Sequence, residues 1–195
     1  MLVNSKLNKL LIGSLCCVAF SQNVFAGECN TKKLDDLFAT MAARSALMEG
    51  VAAYKFINKQ TVYDAPRELK VLQNTQDIAK KNKIDSGDLM VFAQVQMDQA
   101  KFIQDYWIAR WNANTDNQPD PEVTPGIDSL RKQINALDDK IYTQLINNLS
   151  DIEICNQPTI LKHLDKAFSN VKGIPQSPAY NQLTASAIAN LSIPQ

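Results

Sequence analysis

Residues 44–72, "RSALMEGVAAYKFINKQTVYDAPRELKVL", decide how the chain is read. Helix-forming residues dominate, glycine is sparse, and a proline stands two residues after Asp64, where a helix tolerates one in its first turn. The segment therefore reads as two helices broken at "QTVYD". Yet Arg44, Lys55, Asp64, Arg67 and Glu68 are spread among the apolar positions. Arg44 and Lys55 stand eleven residues apart, within about 20° of three full turns, so they share one face about 16 Å apart along the axis. Asp64, Arg67 and Glu68 follow an i, i+3, i+4 pattern and share a face of the next helix. Taken singly, each charge reads first as part of a solvated stripe, where an Asp64–Arg67 pair contributes only ~0.5 kcal/mol. Lys55, set among the small residues of "VAAYK", points inward.

Working outward, the same helical periodicity covers the rest of the chain. The expected helices run from about Thr31 to Gln60, Asp64 to Asn82, Asp85 to Asn112, and from Ile127 to about Leu149. The fourth has apolar spacing at Ile127, Leu130, Ile134, Leu137 and Ile141. "NANTDNQPDPEVTPG" (112–126), with three prolines, is a loop. Two shorter helices are expected at about 158–171 and 178–191, joined by "GIPQSP". No repeat and no second composition interrupts this pattern. The fold expected is all-α: a single-domain bundle of long helices with extra C-terminal helices.

The N-terminus reads as a secretory signal. Lys6 and Lys9 precede the apolar run "LLIGSLCCVAF" (10–20), and small residues lead to "VFA" at 24–26. The run is far shorter than the ~20 residues a membrane helix needs. Leu15 and Cys16 are not the small residues that precede a lipid-modified cysteine. Cleavage after Ala26 leaves a 169-residue domain, 27–195, with 18 basic and 20 acidic side chains. Without a basic excess it is not a nucleic-acid binder, and after cleavage nothing holds it to a membrane. The expected location is periplasmic or secreted. Two cysteines survive, Cys29 and Cys155. In an oxidising compartment an even pair favours a disulfide over two buried thiols. His163, the lone histidine, reads as a surface residue of a polar helix, and no metal-ligand spacing or cofactor motif is present.

The third helix carries "QVQMDQAKFIQDYW" (94–107). Gln96 and Gln104 lie among apolar residues, and a buried glutamine needs hydrogen-bond partners. Arg131, beside the core-type Leu130, adds a further arginine that reads first as a rim residue. Three arginines, a lysine, a glutamine and two acids thus lie on four helices. No Ser–His or Cys–His pair serves covalent chemistry. Such a set suits a small polyanion gripped through its carboxylates, and an enzyme so equipped would act by positioning and electrostatics.

The sequence resembles the all-helical chorismate mutases of the exported (gamma) class through four patterns. These are Arg44 with "VAAYK", D-x-x-R-E at 64–68, the glutamines eight residues apart at 96 and 104, and "LRKQINALDDKI" at 130–141. The likeness is good over about 34–149 and looser beyond Cys155. In cytoplasmic relatives the "LRKQINALDDK" helix comes first and serves the partner subunit's site; here it comes fourth, the order of the exported class, whose pocket lies within one chain. The resemblance implies rearrangement of chorismate to prephenate with no cofactor or metal, and a homodimer. It implies catalytic helices at about 31–150 and a C-terminal extension at about 156–192. Arg44 and Arg131 would grip one carboxylate and Arg67 the other. Lys55 and Gln104 would donate to the ether oxygen, and Asp64 and Glu68 would hold the ring hydroxyl. Ala100 departs from the Ser, Thr or Asn frequent in relatives, leaving Lys101 or Gln99 as substitutes for that contact. The competing expectation is an exported helical protein that binds an anion or partner on a non-catalytic mutase scaffold. The chain's length leaves no room for a fused dehydratase or dehydrogenase.

Overall fold

The computed structural model describes residues 28–174 and 178–192. The expected signal peptide and much of the "GIPQSP" turn lie outside the described residues. The described chain is helical, with α1 (Thr31–Ala46), α2 (Met48–Ile57), α3 (Ala65–Asn82), α4 (Ser86–Ala113), α5 (Ile127–Asn147), α6 (Leu149–Ile154), α7 (Gln157–Phe168) and α8 (Pro178–Ala189).

The expected first helix, Thr31–Gln60, is divided at Leu47. The backbone there stays right-handed (φ −69°, ψ −14°), and the Leu47 N–H donates to the Arg44 carbonyl at 3.2 Å. That is a locally tightened turn, so α1 and α2 continue one rod. The rod ends before Gln60 because Lys59 adopts a left-handed φ of 52°. The Gln60 N–H then reaches back to the Lys55 carbonyl at 2.8 Å, closing the last turn as helix C-termini commonly do. A Cβ at Gly50 would lie 3.0 Å from a Leu130 methyl, so glycine lets α2 and α5 approach closely here without moving that side chain.

The other starts follow capping chemistry. The Asp64 carboxylate accepts from the Arg67 N–H at 3.2 Å and opens α3, with Pro66 in the first turn. Asp85 caps α4 through the Gly87 and Asp88 N–H groups, and Asn156 caps α7 through Thr159. α4, at 28 residues, is about 42 Å long and packs against α2, α3 and α8. The short α6 and a 3-10 turn at Thr115–Asn117 were not anticipated; both are too short to carry a periodic signal.

The main core gathers Leu37, Phe38 and Met41 of α1, Leu89 and Phe92 of α4, Ile141 and Leu145 of α5, and Ile160 and Leu164 of α7. α7 packs along α1, and α8 packs against both α4 and α7. Truncating a fully buried core side chain such as Phe38 is expected to cost about 3–5 kcal/mol. The C-terminal helices thus complete the core that steadies the first rod. A Cys29–Cys155 disulfide fastens the start of α1 to the α6–α7 junction. His163 is part of this seam, not a surface residue: half-buried on α7, its Nδ1 lies 2.7 Å from an Asp35 carboxylate oxygen on α1. A second apolar cluster, Met48, Val51, Ala100, Ile103, Leu130 and Ile134, joins α2, α4 and α5. The charged residues of the opening stretch lie beside it.

Candidate active site

Four rigid supports place the polar residues. The rod presents Arg44 and Lys55, α3 presents Arg67 and Glu68 with Asp64 at its cap, α4 presents Gln104, and α5 presents Arg131. All seven border a single cavity of about 110 Å³. Three of them are buried: Lys55, which the sequence pattern points inward, is 8% exposed, and Arg44 and Gln104, which that pattern left open, are 7% and 5% exposed. Arg131, Asp64, Arg67 and Glu68 stand at the half-open side.

Each donor meets a protein acceptor. Lys55 Nζ donates to the Val62 carbonyl at 2.5 Å. Arg44 Nε donates to Asp138 Oδ1 at 2.5 Å, and Arg131 donates to Asp64 Oδ2 at 3.1 Å. Arg67 donates to the Asn135 side-chain oxygen at 2.6 Å. The Gln104 amide nitrogen turns back onto its own helix, donating to the Ala100 carbonyl at 3.0 Å, while its Oε1 is buried with no partner. Burial lowers the Lys55 pKa, with Arg131 acting in the same direction; Asp64, Glu68 and Asp105 work against them and favour the ammonium.

Several members were not singled out in advance. Asp138 and Asn135, which hold Arg44 and Arg67, stand seven and four residues after Arg131 and so share its face of α5; that spacing was the available signal. The Val62 carbonyl is a backbone group in the α2–α3 connection and leaves no mark in the sequence. Ala100 is buried in the second apolar cluster and offers no polar side chain to the cavity. The neighbouring Lys101 does border it, with Nζ 3.2 Å from Glu68 Oε2 and 3.0 Å from Asp98. Of the two candidate substitutes, Lys101 is at the cavity and Gln99 is fully buried, its Oε1 3.4 Å from the Ser45 hydroxyl.

No family model matches the chain. Over 128 residues it is 29% identical to a monofunctional chorismate mutase of Enterobacter agglomerans, covering 65% of this chain and 68% of that protein. Among solved structures, the secreted chorismate mutase of Yersinia pestis superposes with a TM-score of 0.66 at 20% identity, covering 86% of this chain and all of that one. A chorismate mutase of Burkholderia thailandensis superposes at 0.61 with 23% identity, over 80% of this chain and 96% of that one. The chain is a homologue of the chorismate mutases and shares their all-helical fold.

Proposed function

We propose that the chain is a chorismate mutase, an isomerase converting chorismate to prephenate without a cofactor. The observation that carries this reading is the convergence of two deeply buried cations and a buried amide on one cavity, with further arginines at its rim. A concerted [3,3] shift needs no nucleophile. Its barrier falls when the enolpyruvyl arm is held folded over the ring and when donors meet the charge developing on the ether oxygen.

In this reading Arg44 and Arg131 take one carboxylate and Arg67 the other. Lys55 and Gln104 donate to the ether oxygen, and Asp64 and Glu68 accept from the ring hydroxyl. The substrate's oxygens replace the resting acceptors: Lys55 leaves the Val62 carbonyl, Gln104 leaves that of Ala100, and Arg131 exchanges Asp64 for a carboxylate. Each exchange trades one charge-assisted or amide bond for another, so little hydrogen-bonding energy is lost on binding. Asp138 holds Arg44 in aim, and Lys101 orients Glu68.

We also propose that residues 1–26 are a cleaved signal peptide, that 27–195 forms one exported domain, and that it acts as a homodimer. The disulfide and the likeness to a secreted mutase support export. No helix among the described residues is long and apolar enough to cross a membrane. The test is the ultraviolet absorbance of chorismate after addition of purified residues 27–195. Rapid loss is expected; a stable absorbance with folded protein would remove the enzymatic reading.

A further inference from the structure

A second cavity, of about 290 Å³, lies between α3 and α5 beside the site just described. The two share Arg44, Arg67 and Asp138 as common wall. α3 turns Arg67, Lys70 and Asn74 toward the second cavity, and α5 turns Asn135, Asp138 and Asp139 toward it from the other side. One wall is therefore cationic and the other acidic. Phe92, Met97 and Ile141 supply apolar surface between them.

Three side chains here make no hydrogen bond or ion pair among the described residues, Lys70 and Asp139 at the exposed mouth and Gln96 buried beneath them. Neither Lys70 nor Asp139 has an ion-pair partner among the described residues. Gln96, on α4, borders the cavity and is 5% exposed, with both its Nε2 and Oε1 buried and unbonded. An unbonded buried amide is costly, and native interiors rarely keep one without a use. The proposed rearrangement uses none of Lys70, Asp139 and Gln96.

We propose that this cavity is a second ligand site for a small zwitterion: a carboxylate toward Lys70 and Arg67, an ammonium toward Asp139, and an apolar body over Phe92 and Met97. A carboxamide suits such a ligand, since its NH2 group donates to the carboxylate and its oxygen accepts from the ammonium. Because Arg44 and Arg67 border both cavities, an occupant alters the arginines that face the first. The site stands on its own lining residues and holds whether or not the first cavity rearranges chorismate.

The test uses ¹⁵N-labelled residues 27–195 with leucine, 4-methylpentanoate and 3-methylbutylamine as probes. These share one apolar body but carry both charges, the carboxylate only and the ammonium only. The Gln96 side-chain amide signals are identified by their loss in Gln96→Met. Leucine is expected to move those signals in a saturable way, with the two singly charged probes much weaker. Lys70→Met and Asp139→Asn should each weaken the leucine response while leaving the fold unchanged by circular dichroism. An unmoved Gln96 amide, an equal response to 4-methylpentanoate, or an undiminished response in Asp139→Asn would each overturn the proposal. Chorismate turnover measured on the same sample separates that failure from failure of the mutase reading.

Discussion

Replacing Lys55 with methionine separates catalysis from stability. The side chain is 8% exposed and spends its ammonium on the Val62 carbonyl at 2.5 Å. Methionine keeps the length and the packing against small neighbours but removes the charge. Loss of one preorganised donor at a developing oxyanion is worth about 3–4 kcal/mol, on the order of 10²- to 10³-fold in kcat. The stability terms oppose each other. A fully buried, orphaned carbonyl costs about 1–3 kcal/mol, but Val62 is half-exposed, so water replaces much of the lost bond. In return the fold no longer buries a cation whose pKa burial lowers, which is itself unfavourable. The net change is expected within about 1 kcal/mol, a shift of only about 2–4 °C in Tm for a domain of this size. Chorismate absorbance and a thermal melt on the same preparation decide it. A variant retaining more than a tenth of wild-type kcat, or one losing activity only because it unfolds, would refute the reasoning.

Three further outcomes follow from the same geometry. The Lys55 pKa is lowered, so the charge that the proposed mechanism uses disappears below the ~10.5 of a free lysine, and kcat should fall on the alkaline side before that pH. The folded state binds fewer protons than the unfolded one in that window, so stability relative to Lys55→Met should rise as activity falls; a difference curve flat in pH would contradict this. Gln104→Glu places a carboxyl against the Ala100 carbonyl, where only its protonated form can donate. Its activity should appear on acidification and vanish near neutrality, whereas the amide of the wild type gives no such acid dependence; a variant equally active at both pH values would oppose the assignment. Reducing Cys29–Cys155, which closes a 126-residue separation, should remove roughly 2–5 kcal/mol. That is about 10 °C in Tm, with kcat little changed at low temperature because the bond lies outside the cavity-lining residues; an unaltered melt would show that α1 and α7 hold without it.

What the sequence made legible was whatever a rigid helix transmits. Arg44 and Lys55 could be placed on one face because eleven residues close three turns, and the D-x-x-R-E spacing placed Arg67 and Glu68 because the cap fixes where α3 starts. The same logic fails where the backbone leaves helical geometry. The break at Leu47 changes one turn without changing composition, and the Val62 carbonyl that receives Lys55 is available from any residue type. His163 misled because a half-polar helix does not say which of its polar residues meets a carboxylate across a seam. Asp138 was overlooked because its role belongs to a pair, and pairing depends on how α1 and α5 cross. The cavity between α3 and α5 was invisible for that reason too: Lys70 and Asp139 look like ordinary helix-surface residues, and Gln96 shows only that it would need partners, until three helices are set around one space.

The delivery of Arg131 by the fourth long helix of the same chain, alongside Arg44 and Lys55 of the first rod, has a genetic meaning. When a site takes a residue from each of two subunits, one damaged copy spoils the work of a sound neighbour, and mixed populations lose activity faster than their dose of mutant. Here the seven residues travel on one polypeptide. Mixtures of wild type with Lys55→Met should lose activity in simple proportion to the variant fraction, and an inactivating allele should behave as recessive however the chains associate.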